Sequence, residues 1–298
     1  MTSLLLLTAL AFQGDPVSRL IYFGNPELKE TTLMVLVRDV RTEEPKLSPK
    51  KLGEPPQQWE FEWLSAGYVR VQEEFEEGFK IRFRVYSQAR STHEQLGYPA
   101  TRTLLRIWEH NKLKLDIDHS KEENSRIVDL YLTYAGPFAG GEQLKDYSVE
   151  GGRERRVNTM YIYDTKNLDD KVEALREICH EYGHATLWEA GGFKTPEDWG
   201  NGRLGELMYM RSLSERYSKG EIPSADVLDV TPEQLSGWVK KNVDPLVNSV
   251  AENGVPAAIT GDGQAAMDAY CGTALYLETI LPKAPFLKIM KMTSGAGN

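Results

Sequence analysis

Apolar residues change their spacing twice along the chain. From about residue 15 to 90 they run in short blocks or alternate with polar ones. Residues 31–37 (TTLMVLV) form one block, and Phe79, Ile81, Phe83 and Val85 alternate with Lys80, Arg82 and Arg84. A two-residue period predicts half-buried strands, with 68–71 as a neighbour. Residues 41–58, rich in Pro, Lys and Glu, read as an exposed loop. Trp59, Phe61 and Trp63 read as core, and the run Glu73, Glu74, Glu76, Glu77 as a solvated turn.

The spacing then lengthens. Residues 99–113 predict a helix with Leu104, Leu105, Ile107 and Trp108 turned inward. Strands at 126–134 and 157–163 flank a glycine-rich loop, 136–152. Leu168, Val172, Leu175, Cys179, Tyr182 and Thr186 then recur at three- and four-residue steps. That stripe predicts a helix capped by Asn167, begun by Asp169 and Asp170, and stopped by Gly191-Gly192.

Beyond residue 192 the pattern is helical throughout. One helix is predicted at 204–218. Another opens at Thr231-Pro232-Glu233-Gln234, where a capping threonine, a proline at the first position and a glutamine three residues on coincide, and it kinks at Pro245. A last helix runs from Asp262 or Gly263 to about Ile280, ended by Pro282 and Pro285. The order predicts an α+β chain with a β-rich region at 12–92, a lobe at 93–192 and a helical lobe at 193–298.

A chain of 298 residues has room for one large core or two lobes sharing a cleft. Its 41% hydrophobic and 27% charged residues suit a globular protein. A net charge of −9 argues against nucleic acid as a partner. The apolar run from Leu4 to Ala11 is far shorter than the roughly 20 residues of a membrane span. Ala9-Leu10-Ala11 places small residues where a signal peptidase reads them. Residues 1–11 are therefore predicted to be a signal peptide cleaved before Phe12, giving a secreted or periplasmic chain without a membrane span. Cys179 and Cys271 form no C-x-x-C pair; a disulfide between their helices and two separate buried thiols both stay open.

The candidate chemistry is His180-Glu181-Tyr182-Gly183-His184. Histidines four apart on a helix leave the same side one turn apart, so two imidazole nitrogens can share one zinc ion. Glu181, on an adjoining face, can reach a water as general base without being a ligand. A catalytic zinc takes a third protein ligand. Leu187 and Ala190 stand where an extended H-E-x-x-H-x-x-G-x-x-H motif needs Gly and His. The candidates are Glu206, near a helix start 22 residues after His184, then the nearer acids Glu189 and Asp198, then His93, His110 and His119. Glu206 is the preferred one. No G-x-S-x-G, P-loop or G-x-G-x-x-G competes.

The H-E-x-x-H motif with a Glu-bearing helix about twenty residues later resembles the gluzincin branch of zinc metallopeptidases. The likeness covers roughly residues 95–280. It implies a zincin-like core, a small mixed sheet plus the motif helix, with Zn2+ held by His180, His184 and Glu206 and with Glu181 as general base. It also implies that the strand at 158–163 is the edge strand that pairs with an extended peptide. The implied activity is hydrolysis of peptide bonds in a peptide or protein substrate. Tyr270 and Tyr209 are candidates for stabilising the oxyanion. Two other readings stay open: a non-catalytic peptide- or cell-wall-binding protein on the same scaffold, and a zinc hydrolase of a non-peptide amide.

Overall fold

Among the described residues, seven strands form one mixed sheet in the order β1-β2-β3-β4-β5-β7-β6. The computed structural model describes residues 18–24, 32–38, 63–73, 81–88, 94–117, 127–132, 140–150, 153–163 and 170–293. The predicted leader, the 41–58 loop, Trp59, Phe61, Asn167, His93 and His119 lie outside them. β1 (Ser18–Gly24), β2 (Thr32–Arg38), β3 (Trp63–Glu73) and β4 (Ile81–Gln88) follow one another antiparallel. β4, β5 (Ile127–Leu132) and β7 (Arg153–Tyr163) are parallel neighbours. β6 (Gly140–Glu150) pairs antiparallel with β7 and ends the sheet. The division predicted at 92/93 falls between β4 and the next helix, and the β4–β5 hydrogen bonds run across it.

Two expectations are corrected here. The glycine-rich loop predicted at 136–152 contains strand β6. An edge strand has one neighbour and carries charged residues, so the apolar alternation that reveals a central strand is missing from it. As a consequence β7 is an inner strand, and β6 is the edge.

The inner strands bury Phe83, Val85, Val128, Leu130, Leu132, Met160 and Ile162. Their alternation puts these on one face, against helices. On the opposite face Tyr86, Tyr131 and Tyr161 are in register and stack, with ring centroids 4.8 and 5.2 Å apart. Arg84 and Asp129, also in register, form a buried two-point ion pair at 2.5 and 2.6 Å.

α1 (Glu94–His110) links β4 to β5 and starts before the predicted Pro99, with a π-helical turn (Asn111–Leu115) completing it. α2 (Lys171–Thr186) carries the histidine motif. Asp170 caps it, accepting from Val172 N at 2.9 Å. It stops at Thr186, short of Gly191-Gly192. The next thirteen residues make a loop whose ends are tied by the Gly191–Trp199 bridge and by Gly200 N donating to Ala190 O.

α3 (Gly200–Ser218) begins four residues before the prediction, and its early glycines are helical. Packing explains this. A Cβ at Gly205 would lie 2.5 Å from Gly183 Cα, and one at Gly183 would lie 2.6 Å from Asn201 O. Only hydrogen atoms fit where α2 and α3 cross, so close helix contact outweighs the roughly 1 kcal/mol helix cost of each glycine.

The helical region continues with α4 (Pro232–Asn242), α5 (Asp244–Asn253), α6 (Gln264–Ile280) and α7 (Lys283–Thr293). Thr231 and Gln234 exchange side-chain-to-backbone hydrogen bonds, the predicted capping box. The kink expected at Pro245 is a full break between α4 and α5. Cys179 and Cys271 are free and buried, and burial pushes both thiols up. No helix among the described residues is long and apolar enough to cross a membrane.

At the end of α1, burial and then the charges of Arg211, Arg216 and Lys114 hold the His110 imidazole down to about 3. Its Nε2 lies 3.8 Å from Glu278, an ion pair only if the ring were protonated. The unfolded chain titrates near 6.5, so it takes up this proton first as pH falls. His110 thus contributes stability that is intact above pH 6.5 and is lost between about 6.5 and 3. Chemical denaturation at pH 7.0 and 5.0 is expected to show a smaller acid-induced loss in His110→Phe than in wild type. The difference should approach ~1.4 kcal/mol per pH unit; equal losses in the two proteins would reject this role.

Candidate metal centre

Three elements meet at the motif: α2, the 187–199 loop and the first turns of α3. The imidazoles of His180 and His184 project from one side of α2, with ring centroids 4.9 Å apart and planes at 75°. His180 Nε2 lies 3.1 Å, and His184 Nε2 3.0 Å, from the same atom, Glu197 Oε2. The other Glu197 oxygen accepts from Arg203 N at 3.1 Å, in the first turn of α3. The positive end of that helix therefore orients the carboxylate and leaves one oxygen for the histidines. His180, His184 and Glu197 are the group among the described residues whose donor atoms converge as metal ligands do.

The far nitrogens are held too. His180 Nδ1 lies 3.1 Å from Glu206 Oε2, and His184 Nδ1 3.0 Å from Asn201 Oδ1. Asn201 Nδ2 reaches His184 O at 3.4 Å, which sets its amide with the oxygen toward the ring. Both acceptors call for an N–H at Nδ1, and that leaves both Nε2 lone pairs aimed at Glu197. Two lone pairs and a carboxylate oxygen at about 3 Å repel unless a cation lies among them.

A proton is one such cation. Burial by itself would lower His180, but hydrogen bonds to Glu197 and Glu206, with the Glu181 and Glu197 charges, outweigh it and hold the imidazole at about 10. Burial likewise works to raise Glu197, and its hydrogen bonds to His180 and His184 bring it down to about 2. A divalent ion is the other cation, displacing that proton on binding. Tetrahedral ligands 2.0–2.1 Å from zinc are themselves about 3.3 Å apart, close to the spacing found here.

Gly202 supplies a test of fit. A Cβ there would lie 2.6 Å from His184 Cε1 and 2.7 Å from His180 Nε2, and closer still to His184 Nε2. A side chain would occupy the space that the two nitrogens face, and glycine keeps it open.

The structure places Glu206, the expected third ligand, outside this group and Glu197 within it. Glu206 sits on the Nδ1 side of His180, 2% exposed, paired with Arg176 at 3.0 Å and with Arg203. Burial would raise its carboxyl, but the His180 hydrogen bond and the two arginines lower it. It meets His180 at Nδ1, while Glu197 faces both Nε2 atoms. Glu189 and Asp198 are exposed, and His110 lies elsewhere, bonded to Ser212 Oγ at 2.9 Å. Sequence reasoning passed over Glu197 because a loop residue has no periodic face. The only local hint is that it shortly precedes the glycines of α3.

No family model, curated protein or solved structure matches the chain.

Glu181 is 2% exposed and packs under the edge strand. A Cβ at Gly141 in β6 would lie 2.6 Å from its Cγ and 2.7 Å from its Cδ. Gly141 pairs with Ile162, on the helix-covered face of the sheet. Glu181 Oε2 has no hydrogen-bond partner among the described residues. Burial pushes its carboxyl up to about 7, against the pull of the His180 and His184 charges. Of the two tyrosines, Tyr209 is fully buried with its hydroxyl 2.9 Å from Thr186 Oγ. Tyr270 packs between Phe193 and Gly200, beside the loop that carries Glu197, and its buried hydroxyl has no partner among the described residues.

Proposed function

We propose that this chain is an exported, zinc-dependent metallopeptidase on a zincin-like scaffold. One observation carries the reading: His180 Nε2, His184 Nε2 and Glu197 Oε2 converge with the tautomers fixed from behind, next to a buried carboxylate with an unspent oxygen. Two imidazoles and one carboxylate suit zinc better than magnesium or calcium, which prefer oxygen donors.

A zinc ion held there would polarise a carbonyl and lower the pKa of a water toward about 7. Glu181 would take the proton from the attacking water and hand it to the leaving nitrogen. Burial raises its carboxyl, and a zinc charge beside it would favour the ionised form, so the two act against each other on this base. Glu206 and Asn201 hold the imidazoles, so that their nitrogens need not reorganise during the reaction. Among the described residues β6 has a strand neighbour on its β7 side alone, and its start lies over Glu181. An extended peptide added to that edge by main-chain hydrogen bonds would bring a scissile carbonyl past the centre. Tyr270 is the better placed of the two tyrosines to donate to an oxyanion, since Tyr209 already spends its hydroxyl on Thr186.

A peptide-library digest with and without a chelator tests the activity, and Glu181→Gln tests the mechanism. The variant is expected to keep its zinc and to lose about 10²–10⁴-fold in kcat. Full activity in the variant, or cleavage indifferent to the chelator, would reject the proposal. Zinc and peptide binding without any cleavage by wild type would favour a binding protein instead.

A further inference from the structure

α7 carries apolar residues on two faces. Phe286, Leu287 and Met290 are buried against the rest of the fold. Pro285, Ile289 and Met292 are spaced by four and three residues, so they form a second stripe, and all three are exposed. Met292 is 72% and Ile289 36% exposed. Ile280, at the end of α6 just ahead of the helix, is exposed as well. A surface helix ordinarily turns polar residues to solvent, whereas here water meets a row of hydrocarbon.

Charge is biased on the same face. Lys288 and Lys291 lie beside the outer stripe, and both are exposed. From Thr279 to Asn298 the sequence holds three lysines and no acidic residue, on a chain of net charge −9. The remaining lysine, Lys283, donates from Nζ to Leu113 O at 2.9 Å. That bond sets the start of α7 beside the Asn111–Leu115 turn, which brings Lys112 and Lys114 to this end of the molecule, with Asp116 after them.

We propose that the outer face of α7 docks the protein on an anionic lipid surface. The helix would lie in the plane of the interface, with Ile289 and Met292 entering the headgroup region and Lys288 and Lys291 meeting phosphates. An apolar stripe edged by lysines matches such a surface in both hydrocarbon and charge. A second copy of the chain fits less well, because a two-fold pairing of the stripe would set the lysines of one copy near those of the other. The attachment is reversible, since it rests on a few charges and a short stripe rather than on a span.

Sedimentation of the full chain with vesicles tests this, using pure phosphatidylcholine and an equal mixture of phosphatidylcholine and phosphatidylglycerol. Binding is expected to the mixed vesicles alone, and to fade as salt rises from about 0.1 M to about 0.5 M. Lys288→Gln with Lys291→Gln is expected to weaken it roughly 30-fold, at about 1 kcal/mol for each lysine near the surface. Ile289→Ser with Met292→Ser is expected to weaken it about tenfold. All four side chains are exposed, so both variants should melt as wild type does. No binding to the mixed vesicles, equal binding to both kinds, or undiminished binding in either variant would overturn the proposal. Self-association without lipid, lost on substituting Ile289 and Met292, would assign the face to a second copy instead. Equal affinity for soluble polyglutamate, lost in the lysine variant and kept in the other, would assign it to an acidic protein partner. Either result would also overturn it.

Discussion

Glu197→Ala is expected to weaken zinc binding on the order of 10³-fold, whereas Glu206→Gln is expected to weaken it only about 10–100-fold. The two acids differ in which imidazole nitrogen they meet. Glu197 puts one oxygen 3.0–3.1 Å from both Nε2 atoms, so its loss removes a donor and leaves two imidazoles to hold the ion. Glu206 meets only His180 Nδ1. Its replacement by Gln keeps an acceptor oxygen and the side-chain shape, while loosening the arginine contacts. Zinc competition against a chromophoric chelator ranks the two directly. A larger loss in the Glu206 variant would restore the acid chosen from sequence and refute the ligand set read from the structure.

Gly141→Ala is expected to lower kcat by about 100-fold or more while leaving zinc affinity nearly unchanged. The added methyl would overlap the Glu181 side chain, 2.6 Å from Cγ and 2.7 Å from Cδ. Either β6 or the carboxylate must move, and a displacement of about 1 Å at a reacting group costs on the order of 10²-fold. Gly202→Ala gives the opposite pattern. Its methyl enters the space between the two Nε2 atoms, so zinc affinity falls first and activity follows. Paired zinc titrations and turnover measurements separate the two effects. If Gly141→Ala retained full kcat, Glu181 would not be the working base in the position described.

Much of the helical architecture was legible in the chain. Short-range rules govern it: the three- and four-residue stripe of α2, the Thr231–Gln234 box, and the helix that Gly263 opens. The same spacing puts His180 and His184 on one side of α2. β6 was hidden because an edge strand needs no apolar alternation. The start of α3 was hidden because glycine reads as a helix breaker until a second helix is seen lying 2.5 Å from where its Cβ would be.

The sequence by itself determined an α+β chain and a helix able to aim two imidazoles at one point, since both follow from residues within a turn or two of each other. Only the tertiary structure decided which acid completes the group. Glu197 reaches the Nε2 atoms because its loop is tied at Gly191 and Trp199 and its carboxylate is held by the start of α3. Glu206 lands behind His180 because α3 crosses α2 on a glycine contact. Both outcomes depend on how two helices and a loop pack, and no local period along the chain encodes that.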